Sequence, residues 1–192
     1  MFTEGGDCVV QAAERSDQVG AVPIIRNDGE GETRWFYGGG VHTWKASAEE
    51  TDGAFLLFED CMTQGKATPL HVHAKEDEGY YVVDGEIVVH IDGTDHRVGP
   101  RGLAVVPRGV PHAFLVTSAT ARVLTLQTPG SAEAFYRGAS EPASIDTDPA
   151  GPIDFARVQE AAKHSGAMQV LGPPPFAAAR IDAEDPAAVP GA

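Results

Sequence analysis

The feature that most constrains this chain is a succession of short runs rich in Val, Ile, Leu and aromatic residues, starting at Trp35 and broken every few residues by Gly, Pro or Asp-Gly. The runs are 35–37, 41–46, 54–62, 78–83, 86–91, 96–98, 103–106, 113–116 and 122–127. Residues of this kind suit a pleated, half-buried surface, and their spacing predicts an all-β domain. Asp84-Gly85 and Asp92-Gly93 each stand between two such runs and predict hairpins, because both central positions of a type I′ turn need positive φ. With so many short strands, closure into a barrel or jelly roll leaves no exposed edge.

A length of 192 residues suits one domain with additions. The polar, Gly-rich residues 1–33 read as an irregular N-terminal arm ending in the turn cluster Asn27-Asp28-Gly29-Glu30-Gly31. The barrel is expected over 34–130 and a C-terminal helical extension over 131–171. Within that extension Ser131 is expected to cap a short helix through Arg137, and a second helix is expected from Asp154 to His164 with Phe155, Val158 and Ala162 on one face. Residues 172–192, opening on Pro173-Pro174-Pro175 after Gly172, read as an extended tail.

The net charge of −14 excludes nucleic acid and anionic membrane as expected partners, since both present phosphates that attract Lys and Arg. No run approaches the roughly 18 apolar residues of a membrane span. The start, MFTEGGDCVVQAAERSDQ, lacks the basic and apolar stretches of a secretory signal, so a cytoplasmic location is expected. Cys8 and Cys61 are too few for a disulfide framework, and Cys61 in its apolar run reads as a small buried residue.

His71 and His73 are two apart, so on a strand both side chains leave the same face and can converge on one ion. Glu78 follows where the next strand begins, after the polar turn 74–77. Two imidazoles and one carboxylate suit a divalent first-row metal and leave coordination positions open. The plainer reading is a pair of surface histidines beside a solvated acidic turn. Glu76 is the rival carboxylate; the onward spacing to Gly85 favours Glu78 and leaves Glu76 as a solvated loop charge. Tyr80 and Val82 share the parity of Glu78 and should point inward. Phe55, Phe114 and Leu126 are expected to line the same cavity as substrate contacts, although such residues equally fill an ordinary barrel. His42, beside Trp44, is expected at the cavity mouth.

The wider spacing carries a resemblance. Gly65, five residues, His71-Val72-His73, four residues, Glu78, six residues and Gly85 stand at the fixed positions of the first cupin motif, and Pro107-Arg108-Gly109-Val110-Pro111-His112 matches the heart of the second. Over roughly residues 54–130 the chain resembles the cupin superfamily. Arg101 and Val116 replace the Gly and Asn that open and close its second motif. The resemblance implies a cupin barrel, a double-stranded β-helix or jelly roll, with His112 joining His71, His73 and Glu78 as ligands of iron, nickel, cobalt, manganese or zinc. Single-domain cupins with such an arm and extension resemble the bacterial flavonol (quercetin) 2,3-dioxygenases, which implies a small aromatic or enolisable substrate, dioxygen as co-substrate, Glu78 as both ligand and base, and a homodimer. An oxygen-independent isomerase or cyclase, and a non-catalytic binder of a small molecule, remain open beside it.

Overall fold

The structure is a computed structural model that describes residues 22–144, 146 and 153–176. In chain order its strands are β1 (Glu32–Phe36), β2 (Val41–Ala46), β3 (Leu56–Thr63), β4 (Leu70–Val72), β5 (Asp77–Asp84), β6 (Ile87–Ile91), β7 (Thr94–Val98), β8 (Leu103–Val106), β9 (His112–Val116) and β10 (Thr120–Thr128). A 3-10 turn (Gly130–Ala132) and helix α1 (Glu133–Gly138) follow, then β11 (Ser140–Pro142), helix α2 (Phe155–Ser165) and β12 (Gln169–Gly172). The strands form two antiparallel sheets, one ordered β11-β1-β2-β3-β10-β5-β8 and the other β12-β4-β9-β6-β7. Two facing sheets with this many short strands make the all-β barrel that the punctuated runs predict, the fold that the cupin resemblance implies.

Alternation along the strands separates inside from outside. On β10 the buried residues are Ala121, Val123, Thr125 and Gln127, and on β3 they are Leu56, Phe58, Asp60 and Met62. The barrel is apolar toward one end, where Val82, Ile87, Val89, Val116 and Val123 pack together. A second cluster joins Phe36, Trp44, Leu56 and Phe58 to Phe135, Tyr136 and Val158 on the two helices. Burial of large side chains of this kind stabilises each position by about 1.5–3 kcal/mol. Polar inward positions lie between these clusters.

The turns decide between alternatives that the runs leave equal. At Asp92-Gly93 both residues have positive φ, 45° and 83°, and the hairpin pairs Ile91 with Thr94. The hairpin expected at Asp84-Gly85 does not form, because β5 and β6 belong to different sheets. Gly85 alone of that pair has positive φ, 79°, and a Cβ there would lie 2.2 Å from the Thr120 carbonyl oxygen. Its glycine therefore serves a close crossing between sheets.

The C-terminal segment contributes to both sheets: β11 pairs with β1, and β12 pairs with β4. Ser131 does not cap α1, whose N-cap is Ala132 without a side-chain bond; the Ser131 hydroxyl donates to Glu76 instead. Asp154 does cap α2, accepting from the Arg157 N–H at 3.2 Å, and Val158, Ala161 and Ala162 form its buried face while Phe155 is 40% exposed. Of the expected arm, residues 22–31 are irregular and β1 begins at Glu32, while 1–21 lie outside the described residues, as do 177–192 of the expected tail. No helix among the described residues is long and apolar enough to cross a membrane.

Candidate metal centre and its cavity

Pairing within one sheet sets His71 beside His112, directly opposite each other on β4 and β9. His73 follows just beyond β4, and Glu78 approaches from β5 in the facing sheet, so the group bridges the barrel. The turn carrying the second motif is fastened to the first. Gly109 N–H donates to the His73 carbonyl at 2.7 Å, and Arg108 holds Asp77 through its main-chain N–H at 2.8 Å and its guanidinium at 3.0 and 2.8 Å. Such a fork-on-carboxylate contact fixes direction as well as distance. It pulls the Asp77 carboxyl down to about 2 through the Arg108 hydrogen bonds.

One potential ligand atom from each of His71, His73, Glu78 and His112 lies within 4.8 Å of all the others, and all four residues are buried. Each imidazole has its Nδ1 against a main-chain carbonyl: His71 on Pro69 at 2.8 Å, His73 on Ala167 at 3.1 Å and His112 on Val110 at 2.9 Å. A carbonyl only accepts, so Nδ1 must carry the proton and the Nε2 lone pairs are left facing the centre. Those nitrogens stand 3.9, 3.2 and 2.9 Å from the same Glu78 oxygen, Oε2, for His71, His73 and His112 respectively. His73 Nε2 has no hydrogen bond despite its complete burial. Four acceptors converging without a donor among them repel unless a cation sits between them, and imidazole with carboxylate is the donor set of a divalent transition ion. The residues present fit such an ion.

Burial opposes ionisation of Glu78, but positive charge at His73 and hydrogen bonds from the imidazoles outweigh it and hold its carboxyl well below the usual range, a demand for positive charge that a cation among them would meet instead. Burial would also lower His73, yet the adjacent Glu78 charge raises it; at His71 burial wins and the pKa falls.

Through His71 and Glu78 the group opens onto a cavity. His71, Glu78, Tyr80 and Phe114 line it together with Phe36, Phe58, Phe135, Tyr136 and Met168. Burial, then the Glu78 charge, push the Tyr80 and Tyr136 phenols well above their ordinary range, so both are neutral at pH 7. The other two expected substrate contacts lie elsewhere. Leu126 faces outward at 38% exposure, because the inward parity of β10 belongs to Thr125 and Gln127. Phe55 precedes β3 out of phase with Leu56 and Phe58, is half-buried, and does not line the cavity.

Several polar residues escaped the motif reading. Glu76, expected as a solvated loop charge, is 2% exposed, with Oε2 4.0 Å from His73 Nδ1 and a hydrogen bond from Ser131 at its other oxygen. His42 is buried on the cavity wall, stacked on Phe58 at 4.6 Å, with Nε2 3.0 Å from Asp60 Oδ1. Asp60, Lys66 and Thr125 line the same wall. Tyr136 accepts from Gln127 Nε2 at 2.7 Å and donates to Glu78 Oε1 at 3.4 Å. The inward parity of Asp60 between Phe58 and Met62 was a signal available in the sequence; nothing local marked Lys66 or Tyr136. His90 pairs with Asp95 at 2.6 Å on the β6–β7 hairpin, away from the cavity.

A family model, the cupin domain, matches residues 58–126, the stretch that carries every strand from β4 to β9 and all four converging side chains. Residues 58–126 are a cupin domain. This cupin is 27% identical over 136 residues to quercetin 2,3-dioxygenase of Bacillus subtilis, a match covering 70% of the chain and 40% of that protein. The chain therefore spans well under half the length of that curated relative. Among solved structures, an RmlC-like cupin from Shewanella frigidimarina superposes with a TM-score of 0.50 at 18% identity, covering 56% of this cupin and 92% of that chain. A predicted oxalate decarboxylase from Thermotoga maritima gives 0.50 at 23% identity, covering 56% and 99%. At those identities the likeness concerns the fold.

Proposed function

We propose that this cupin is a metal-dependent dioxygenase acting on a small aromatic or enolisable substrate, in the manner of quercetin 2,3-dioxygenase. The observation that carries the reading is the set of three imidazoles and one carboxylate, whose His71 and Glu78 line an aromatic cavity. The similarity to a quercetin 2,3-dioxygenase supports it. His71, His73, Glu78 and His112 would hold one divalent transition metal, which when bound supplies a positive centre for an enolate or phenolate oxygen and an open position beside it.

The chain's own residues do the rest. Glu78 takes the substrate hydroxyl proton, and Tyr136 donates a hydrogen bond to its Oε1 at 3.4 Å. Tyr80 and Phe114, packed edge-on at 5.5 Å, present flat apolar surface to a ring. The main-chain carbonyls behind the imidazoles keep the Nε2 atoms aimed inward.

The test is oxygen uptake by protein reconstituted separately with iron(II), nickel(II), cobalt(II), manganese(II) and zinc(II), metal content verified, on quercetin and other enolisable phenols. Uptake matching substrate loss supports the oxygenase. Silence from verified metal-loaded protein transfers the site to an oxygen-independent isomerase or cyclase. Glu78→Gln is expected to keep metal at reduced affinity and lose turnover; an active variant removes Glu78 as the base.

A further inference from the structure

We propose that Lys66 anchors a carboxylate of the substrate, so that the cavity takes a flat molecule with an enol or phenol oxygen toward Glu78 and a carboxylate at its other end. This rests on the reading of the cavity as the substrate site. Lys66 is 6% exposed and lines the cavity, where its ammonium donates to the Gly39 carbonyl and lies 4.8 Å above the Phe36 ring centroid. An ammonium has three donors, and among the described residues only that one acceptor takes a hydrogen bond from it.

Asp60 is the nearby counter-charge, but its oxygens are engaged elsewhere, Oδ1 facing His42 and Oδ2 accepting from Thr125 at 2.8 Å. Burial lowers the Lys66 pKa to about 8 against the opposing pull of Asp60, so it is still charged at pH 7. A buried cation with unfilled donors is costly unless an acceptor arrives. The acceptor must enter between aromatic walls, which selects a planar body. Lys66 and Glu78 line the one cavity together, so a single substrate entering it meets both. His42 and Thr125 act as positioning residues, holding Asp60 off the ammonium.

The test is calorimetric titration at pH 7 of 4-hydroxybenzoate and 4-coumarate against their primary amides, in the wild type and Lys66→Met, with metal content measured in parallel. The wild type is expected to bind the acids about tenfold more tightly. In Lys66→Met the preference should shrink below about twofold while amide affinity is kept. Equal binding of acids and amides by the wild type, binding of neither, or a preference that survives in Lys66→Met overturns the proposal. Should Lys66→Met fail to fold, Lys66→Gln decides: it keeps donors but no charge, so the preference should shrink below about threefold, and a preference left at the wild-type value rejects the anchor. Binding is read without turnover, so absent oxygen uptake and absent acid preference are separate failures.

Discussion

Two groups of buried charged side chains face the same cavity and are held in opposite ways. In the first, three imidazoles are each tied at Nδ1 to the main chain, and their bare Nε2 atoms crowd one carboxylate oxygen. In the second, His42, Asp60 and Thr125 satisfy one another and leave Lys66 with donors to spare. The first is a set of acceptors that a cation would complete. The second is a set of donors and acceptors nearly balanced around one ammonium. Local charge count thus says less about what a buried cluster wants than the direction in which its hydrogen bonds are already committed.

The largest expected effect sharpens this contrast through pH. Burial lifts the Asp60 carboxyl to about 7 from an ordinary value near 3.8, the nearby Lys66 and the Thr125 bond opposing it. A raised carboxyl means the folded chain keeps a proton that the unfolded chain has released, so its contribution to stability is present below about pH 4 and is lost as pH rises to about 7. Urea unfolding of the wild type should weaken over that window relative to Asp60→Asn, by up to about 4 kcal/mol. Parallel pH profiles would dissolve the second cluster as described.

Next is the metal. His112→Ala removes a converging nitrogen and should cost more than the roughly 100-fold in affinity that loss of an outer partner can cost, whereas His42→Ala should leave metal content as it is; elemental analysis of both after dialysis separates the two clusters. Equal loss in the two variants would break the comparison. Tyr136→Phe comes third. It strands Gln127 and withdraws a donor from Glu78, which should cost about 1–3 kcal/mol of unfolding free energy. The smallest effect is outside the cavity. Arg97 pairs with Glu86 at 2.5 Å but its side chain is 74% exposed, so Arg97→Gln should change stability by less than about 1 kcal/mol.

The two clusters also differ in how far they can be read from the chain. The first is local: His71 and His73 share a strand face, Glu78 follows one turn later, and the turn before His112 has its own Pro and Gly spacing. The second draws on β2, β3, the turn after β3, and β10, with no two of its members close enough in sequence to form a pattern. Leu126 and Phe55 show the same limit from the other side, since both are apolar residues in strand-like runs and only the phase of the neighbouring strand decides which way each points.

By itself the sequence determined the barrel, through short β-prone runs and a hairpin at Asp92-Gly93 that two positive-φ positions demand, and it showed that His71, His73 and Glu78 have the spacing to converge, while the resemblance to the cupin family added His112. Tertiary structure decided that Asp84-Gly85 crosses between sheets, that Ser131 bonds Glu76 rather than capping a helix, and that β11 and β12 complete the two sheets. It also decided that Lys66 ends among aromatic rings. The physical reason is range: turn chemistry and side-chain alternation act over a few residues, whereas burial and hydrogen-bond partnership are settled only when strands distant in the chain come to lie side by side.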